Sequence, residues 1–367
     1  MKKNQLVTLG KHIDILSGCA FPSSGFNRNN GVPLIRIRDI LSGKTETYYE
    51  GSYDLKYLIK KGDLLVGMDG DFNREYWKGT DALLNQRVCK ITPNPETLDK
   101  NFLYHFLQKE LDKIHATTDV VTVKHLSVKK IQDIKIRLPS LKEQKRIAAI
   151  LDKADAIRQK REQAIKLADD FLRAKFLEMF GTPANNIHRF PKGTIRDLVD
   201  SVNYGTSAKA SIDSGEYPIL RMGNITYQGR WDFTDLKYLD LSVKEKDKYL
   251  VKEGDLLFNR TNSKELVGKT AVYEEDRPMA FAGYLIRVRP NSIGNNYYIS
   301  GYLNSIHGKI TLMNMCKSIV GMANINAQEL QNIEILIPPK HLQDEYEIIY
   351  KKIKKGLSIY DKSAMQL

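Results

Sequence analysis

Alternating and helical hydrophobic patterns follow one another along this chain and predict a mixed α/β protein. Residues 32–38 end in alternation, with Ile35 and Ile37 facing one way, as a half-buried strand requires. Further strands are predicted at residues 64–66, 87–91, 134–138, 256–258, 284–288 and 333–337. Residues 101–114 carry apolar side chains at helical spacing, and 297–310 is the corresponding helix later in the chain. Residues 41–60 and 226–252 are polar, aromatic and irregular, which predicts loops or short hairpins.

The same order of motifs occurs twice. VPLIRIRDI at residues 32–40 matches YPILRMGNI at 217–225, and KGDLLVG at 61–67 matches EGDLLFN at 253–259. LSVKKIQDIKIRLPSLKEQ, which starts at Leu126, matches INAQELQNIEILIPPKHLQ, which starts at Ile325. The period is roughly 190 residues, whereas a solenoid unit has roughly 20 to 50. The repeat therefore predicts two domains rather than a solenoid.

A long helix is predicted between the two copies. Ser140 and Glu143 form a capping-box pattern, and residues 141–179 contain no proline or glycine and keep one apolar stripe. Such a helix would span roughly 60 Å. Residues 340–362 of the second copy carry a similar stripe. We expect an antiparallel two-helix coiled coil with a globular domain at each end; the alternative is two helices buried separately, each in its own domain.

Composition limits the classes of function. The chain has 367 residues, of which 42% are hydrophobic and 28% charged, and no apolar run approaches the length of a membrane span. The N-terminal segment has two lysines but no apolar stretch behind them, which argues against a signal peptide and favours the cytoplasm. Cys19, Cys89 and Cys316 lie far apart, without metal-ligand spacing, and are expected to be reduced thiols.

The net charge changes the picture. At +13, with a pI near 9.3, it raises the chance of a polyanionic partner, although many basic proteins bind none. Catalytic motifs do not supply a competing function. GKT at 268–270 lacks the earlier glycine of a phosphate-binding loop, and the calcium-loop beginning at Asp69 has Arg74 at its sixth position. We predict no catalytic, metal or cofactor site, which favours a recognition or scaffold protein.

These motifs together resemble the specificity subunit of type I restriction-modification enzymes. The segment from Leu138 to Gly181 is similar to that family's central conserved region, and RIRDI, KGDLL, GNI and EGDLL resemble its recurring domain anchors. The resemblance covers nearly the whole chain. It implies target-recognition domains at residues 1–139 and 190–338, a central helix at 140–181, and a C-terminal helix at 339–367 that pairs with it.

The resemblance also implies partners. Each domain would read one half of a bipartite, asymmetric target in double-stranded DNA, while the helices set the spacer and dock two modification subunits. Those subunits would carry S-adenosylmethionine and methylate adenine, and restriction subunits would use ATP and magnesium to translocate and cut DNA. This chain would hold no cofactor itself. Half-sites read from one face lie roughly 34 to 68 Å apart, a range that includes the expected helix length.

Candidate DNA-binding residues follow from the comparison of the two copies. Arg36 and Arg221 are shared and are assigned to the scaffold or to phosphate contacts; Arg38 and Asn224, which lie beside them, are included with the DNA-binding candidates. Residues that read bases should lie where the copies differ. These candidates are Lys44, Tyr48, Tyr49, Asn73, Arg74, Trp77 and Lys78 in the first copy, and Tyr227, Gln228, Arg230, Trp231, Asn259, Arg260, Asn262 and Lys264 in the second.

Candidate partner-binding residues lie on the two long helices. They are Gln144, Ile147, Leu151, Ile157, Phe171, Leu172, Phe176, Gln343, Tyr346 and Ile349. The second helix lacks a counterpart to much of residues 171–181. Two other functions remain open at this point. The chain could serve a related enzyme that combines cleavage and methylation in one polypeptide, or it could be a helical scaffold or adaptor that does not bind DNA.

Overall fold

A computed structural model of the chain describes residues 5–118, 124–263, 266–319 and 322–364. Contacts divide the chain into two units, Met1–Arg158 and Gln159–Leu367. Each unit combines short strands with helices, so the predicted mixed α/β class and the predicted two-domain organisation are confirmed.

The first unit contains most of its strands before its first helix. The strands are β1 Gln5–Thr8, β2 Ile13–Ser17, β3 Phe26–Asn27, β4 Val32–Ile35, β5 Tyr48–Tyr49, β6 Leu58–Ile59, β7 Leu64–Gly67, β8 Arg74–Tyr76, β9 Ala82–Leu84, β10 Val88–Pro93 and β11 Lys135–Leu138. The helices are α1 Lys100–Ala116, α2 Val128–Gln132 and α3 Leu141–Phe180, the last of which continues into the second unit. The sheets have the orders β2-β10-β7-β8 and β3-β5-β4-β9-β6, and β1 pairs with β11.

The second unit repeats this plan. Its strands are β12 Lys192–Thr194, β13 Val199–Tyr204, β14 Tyr217–Leu220, β15 Lys237–Leu239, β16 Leu250–Val251, β17 Leu256–Asn259, β18 Thr261–Asn262, β19 Thr270–Val272, β20 Met279–Phe281, β21 Leu285–Pro290, β22 Lys317–Ile319, β23 Met322–Asn324 and β24 Glu334–Leu336. Its helices are α4 Val243–Tyr249, α5 Asn296–Asn304, α6 Ile306–Met315, α7 Ala327–Gln331 and α8 Lys340–Ala364.

Sheet order shows that the repeat is structural as well as sequential. The order β13-β21-β17-β19 corresponds to β2-β10-β7-β8, and β15-β14-β20-β16 corresponds to β5-β4-β9-β6. The second sheet of each unit contains a parallel pair of strands at its centre. The pair is β4 and β9 in the first unit and β14 and β20 in the second. The additional sheet β18-β23-β22 is described in the second unit.

One tight turn recurs before the central strand of each unit. Gly62 and Gly254 have φ angles of +88° and +87°, a left-handed conformation that costs little only for glycine. The following aspartates close the turn, because the Asp63 and Asp255 carboxylates each accept a 2.9 Å hydrogen bond from the backbone N–H three residues earlier. The shared GDLL motif is therefore explained by the turn, which needs a glycine in the left-handed conformation and an aspartate that accepts a backbone N–H.

The cores form where helices cover the sheets. In the first unit α1 begins at Asp99, whose carboxylate caps two backbone N–H groups, and it buries Leu103, Leu107 and Leu111 completely. In the second unit α5 occupies the same place in the sequence and buries Tyr298. Full burial of each of the three leucine side chains contributes roughly 1.5 to 3 kcal/mol.

The two predicted long helices are present as α3 and α8. Within the second unit, the Tyr346 ring lies 5.3 Å from the Phe176 ring. Earlier in α3, Asp169 and Leu172 line a cavity together with Tyr350 and Leu357. Residues earlier in α3 thus lie beside residues later in α8, so the two helices are antiparallel along this part of α3.

Three local predictions need correction. The strand predicted at 32–38 ends at Ile35, because the Arg36 N–H donates to the Asp39 carboxylate (2.9 Å) and the chain turns. The helix predicted at 297–310 is two helices, since the Ser305 hydroxyl accepts the Gly308 N–H and starts α6. The irregular stretch 226–252 contains α4, which begins at a capping box of Ser242 and Glu245.

Among the described residues, we find no helix that combines the length and the apolar character needed to cross a membrane.

Candidate nucleic-acid interface

Three polar side chains surround the end of β7 in the first unit. The Met68 N–H donates to the Arg87 carbonyl (2.9 Å), and the Leu126 N–H donates to the Met68 carbonyl (2.7 Å), so distant parts of the chain meet here. Arg87 lies 3.0 Å from the Asp69 carboxylate, and His125 Nδ1 lies 2.6 Å from its other oxygen. The Arg87 and His125 side chains are 55% and 58% exposed. Strand pairing therefore presents both side chains to solvent on a fixed backbone.

The second unit repeats this backbone arrangement at the end of β17. The Arg260 N–H donates to the Tyr284 carbonyl (3.0 Å), and the Ile325 N–H donates to the Arg260 carbonyl (2.9 Å). Thr261 pairs with Asn324 between β18 and β23, and their side-chain oxygens lie 3.4 Å apart. Tyr284 is 56% exposed, and Asn324 is also exposed.

These six positions form what we call the strand-end rim. Its members are Asp69, Arg87 and His125 in the first unit and Thr261, Tyr284 and Asn324 in the second. Equivalent positions carry a carboxylate, a guanidinium and an imidazole in one unit, and two hydroxyl groups and an amide in the other. A common frame thus offers different hydrogen-bonding groups, which is what discrimination between different base sequences needs.

Two predicted base readers lie beside the rim and rest on aromatic rings. The Arg74 guanidinium lies 3.4 Å from the centre of the Tyr104 ring, and the Arg260 guanidinium lies 4.9 Å from that of Tyr204. Within the described residues, the Nε atoms of both arginines are shielded from solvent and have no hydrogen-bond partner. Stacking restrains the guanidinium planes. Asn73, whose carbonyl accepts the Gly67 N–H, is next to the first rim, and Asn262 follows the second.

The shared arginines close equivalent turns. The Arg221 N–H donates to the Asn224 side chain (2.8 Å), as Arg36 does to Asp39, and the Arg221 guanidinium donates to the Asp235 carboxylate (2.8 Å). Arg36 and the neighbouring Arg38 have exposed side chains. A scaffold role therefore explains the shared backbone turn at Arg36 and Arg221, and the Arg36 side chain is exposed.

Four candidates are buried, and their assignment as DNA contacts is corrected. Tyr49, Trp77, Asn224 and Asn259 are 5%, 2%, 3% and 0% exposed. The Trp77 indole N–H donates to the Thr80 carbonyl (2.7 Å), so even its polar atom is used internally. Difference between the two copies marked three of these residues, but core packing also differs between diverged repeats.

A second group of candidates lies against α3 and away from the strand-pair contacts that define the rim. Arg230 donates to the Asp169 carboxylate of α3 (2.5 Å), and the Trp231 indole donates to the Val272 carbonyl (2.8 Å). Tyr227 and Gln228 are exposed beside them. The contact with Asp169 gives Arg230 a structural role in the second unit.

The remaining candidates are on the surface of the first unit or outside the described part. Lys44 and Lys78 are exposed and Tyr48 is half-buried, while the Lys78 ammonium lies 3.3 Å from the Glu75 carboxylate. Lys264 lies outside the described residues.

The partner-binding candidates divide by exposure. Gln144, Gln343, Phe176 and Tyr346 are 0%, 0%, 1% and 3% exposed, so we correct their assignment: they hold the chain together. Leu151 and Phe171 are 39% and 48% exposed, and their assignment to partner binding stays a prediction. Ile147, Ile157, Leu172 and Ile349 are half-buried.

Sequence reasoning missed the rim: none of its six positions was among the candidate DNA-binding residues. Arg87, His125, Tyr284 and Asn324 were not among the candidates, since they meet through pairing between distant strands. Alignment of the two copies could have found them, by comparing the residues that stand directly before or after each pair of matched strands.

Both units of the chain are similar to known proteins. Residues 1–167 and 190–367 match the family model described as the type I restriction modification DNA specificity domain. The type I restriction enzyme EcoBI specificity subunit of Escherichia coli is 31% identical and covers 94% of this chain and 77% of its own length. The EcoKI specificity subunit of Escherichia coli strain K12 is 24% identical, over 88% of this chain and 75% of that protein.

A solved structure supports the fold. The S subunit of a type I restriction-modification system from M. genitalium superposes with a TM-score of 0.64 at 15% identity, covering 100% of this chain and 93% of that one. These matches do not favour the combined cleavage-methylation enzyme or the adaptor that binds no DNA. A repeated domain, a family model that matches both copies and a relative above 30% identity agree, and the chain therefore belongs to the specificity subunits of type I restriction-modification enzymes.

Proposed function

We propose that each domain of this chain reads one half of a bipartite, asymmetric DNA target through its strand-end rim. The observation that supports this is the occurrence of different exposed side chains on equivalent backbone positions of the two units. Arginine donates two hydrogen bonds to guanine and asparagine exchanges two with adenine. Arg87 in one rim and Asn324 in the other would therefore favour different bases.

Phosphate contacts would supply most of the affinity. The net charge of +13 favours a polyanion, and Arg36, Arg38, Lys44 and Lys78 have exposed side chains. Such contacts position a protein on the duplex without reading its sequence. The rim then supplies the selection. In this proposal the chain performs recognition in the cytoplasm and no catalytic step.

The long helices would serve the assembly. Leu151 and Phe171 are exposed apolar side chains on α3, which suits docking of two modification subunits along the helix. These partners would hold S-adenosylmethionine, and restriction subunits would hold ATP and magnesium. The helices would also set the spacer between half-sites, with domain limits of 1–139, 140–181, 190–338 and 339–367.

Mapping of methylated adenines in cells tests the proposal. Arg87→Gln keeps a hydrogen-bonding side chain but removes the guanidinium, so we expect the recognised motif to change in one half only. Tyr284→Ala should change the other half only. Lys244→Gln, at an exposed position of α4, serves as the control and should leave the motif intact.

Two results would count against the assignment. A motif that is unchanged in both rim variants would remove the rim from base reading. A cell whose methylated motifs do not depend on this chain at all would contradict its role as the selecting subunit.

A further inference from the structure

A cavity of about 460 Å³ opens in the second unit between α6 and the segments around Tyr227 and Leu266. Five large side chains at its wall, Tyr227, Leu266, Ile306, Ile310 and Met313, are between 39% and 67% exposed. Exposed apolar side chains that occur singly are ordinary, but a cluster of them around one cavity marks a binding surface.

Lys309 of α6 places a cation in this apolar setting. Its ammonium is shielded from solvent and, among the described residues, makes no hydrogen bond. The Tyr227 ring lies 4.7 Å away and offers partial compensation through its π face. Burial lowers the pKa of Lys309 to about 8, and the nearby charges of Lys269 and Arg173 contribute to that decrease.

The neighbouring charged groups do not neutralise this cation. Asp169, which lines the adjoining cavity, is engaged by Arg230 at 2.5 Å. Lys269 donates to the Met222 carbonyl (2.8 Å), and Arg173 lies 3.7 Å from Asp170. A buried charge without a partner is unfavourable, and among the described residues the Lys309 ammonium is such a charge.

We propose that this cavity receives an apolar segment of the modification subunit that carries one carboxylate, which pairs with Lys309. The inference rests on the proposed function for the identity of the partner. Charge complementarity requires an anionic group, and the apolar wall favours a protein segment over the hydrated phosphates of DNA. Arg173 of α3 lines the cavity, so the site adjoins the helix that is proposed to dock that subunit.

A buried cation that meets its anion only in the complex should have opposite effects on stability and on assembly. Lys309→Met keeps most of the length of the side chain and removes the charge, so the free chain should gain thermal stability. Assembly with the modification subunit should weaken about tenfold or more, because the partner's carboxylate would be left buried and unpaired. Lys244→Met on α4 is the matched control, and neither quantity should change.

A second variant supplies the anion from within. Met313 is four residues after Lys309 on α6, a spacing at which opposite charges pair, so Met313→Glu should pair with the ammonium and occupy the cavity. We expect a stable chain with weakened assembly.

The experiment measures, for the full-length chain and each variant, the melting temperature, the affinity for purified modification subunit by calorimetry, and the affinity for duplex DNA. Unchanged assembly in Lys309→Met would overturn the inference and leave the proposed function standing. Loss of DNA affinity with normal assembly would also overturn it and would identify a nucleic acid as the occupant. A native chain that bound neither DNA nor the modification subunit would contradict the proposed function itself.

Discussion

Two equivalent buried glutamines differ in how many hydrogen bonds their side chains make. The amide of Gln144 donates to the Thr97 and Pro139 carbonyls (3.0 and 2.9 Å) and accepts the Asp99 N–H (2.8 Å). Gln343, its counterpart, donates to Ile293 and Pro338, but its oxygen has no partner among the described residues. The Gln144 side chain thus fixes the start of α3 with three hydrogen bonds, and the Gln343 side chain fixes the start of α8 with two.

This difference predicts unequal stability effects. Gln144→Leu would leave two carbonyls and one N–H unsatisfied, whereas Gln343→Leu would leave two carbonyls and remove an oxygen that already lacks a partner among the described residues. We expect Gln144→Leu to lower the free energy of unfolding by about 1 kcal/mol more than Gln343→Leu. Urea unfolding followed by circular dichroism measures both, and equal losses would contradict the proposed role of the third hydrogen bond.

Lys309 gives a prediction in pH. Its folded-state pKa of about 8 is below its ordinary 10.5, with Arg173, Lys269 and Tyr227 facing the ammonium. Between these two pKa values the unfolded chain binds more protons than the folded chain does. The loss of folding stability caused by the buried charge is therefore complete below about pH 8 and becomes smaller as the pH rises. The stability gained by Lys309→Met should therefore be larger at pH 7 than at pH 10. A gain independent of pH in urea unfolding would show that the charge is not its cause.

At the scale of elements, turns are governed by individual backbone conformations. Gly254 has φ +87°, and no atom lies within 4 Å of the position that a Cβ would occupy, so a side chain there would meet strain without a clash. Gly223 also has open space, and its φ is outside the left-handed range. A side chain would not clash at either glycine, so a difference between the two in the free energy of unfolding reports the backbone conformation alone.

We expect Gly254→Ala to lower the free energy of unfolding by about 1 kcal/mol, because an L-residue is disfavoured in the left-handed region. Gly223→Ala should change it by less than half of that amount. Denaturation of both variants under one set of conditions provides the measurement. Similar values for the two would mean that the turn relaxes to another conformation.

Elements with a long unbroken pattern were predictable, and short ones that depend on a side chain were not. The stripes of α3 and α8 contain no proline, so their extent followed from the apolar spacing and, for α3, from the capping-box pattern at its start. The strand predicted at 32–38 was cut short by the Asp39 side chain, and Ser305 divided a predicted helix. Periodicity records which face is apolar, but it does not record where one carboxylate or hydroxyl captures a backbone N–H.

For the whole molecule, the repeat and its anchors predicted the architecture, while the candidate site was predicted only in part. Arg74, Arg260 and Asn262 lie beside the rim, but no member of the rim itself was predicted, and Trp77 and Asn259 are in the core. The rim is created by pairing of strands far apart in sequence, and that register is not visible to local patterns.

Salt dependence tests the electrostatic side of the function. With a net charge of +13, we expect the affinity for duplex DNA to fall steeply with salt. Six or more phosphate contacts would reduce it about a thousandfold or more between roughly 50 and 200 mM salt. Fluorescence anisotropy with a labelled duplex measures this slope. Affinity that does not change with salt would exclude phosphate contacts as its source.

The position of the strand-end rim has a consequence for how this protein can change over time. The exposed side chains of Arg87 and Tyr284 lie just beyond the last hydrogen-bonded pair of their ladders, and the same backbone position carries a guanidinium in one unit and a phenol ring in the other. Under the proposed base reading, a substitution at one of these two positions would change one half of the target and leave the other half, and the assembled enzyme, as they are. A restriction specificity would then change by a few substitutions at the chain surface, without repacking a core.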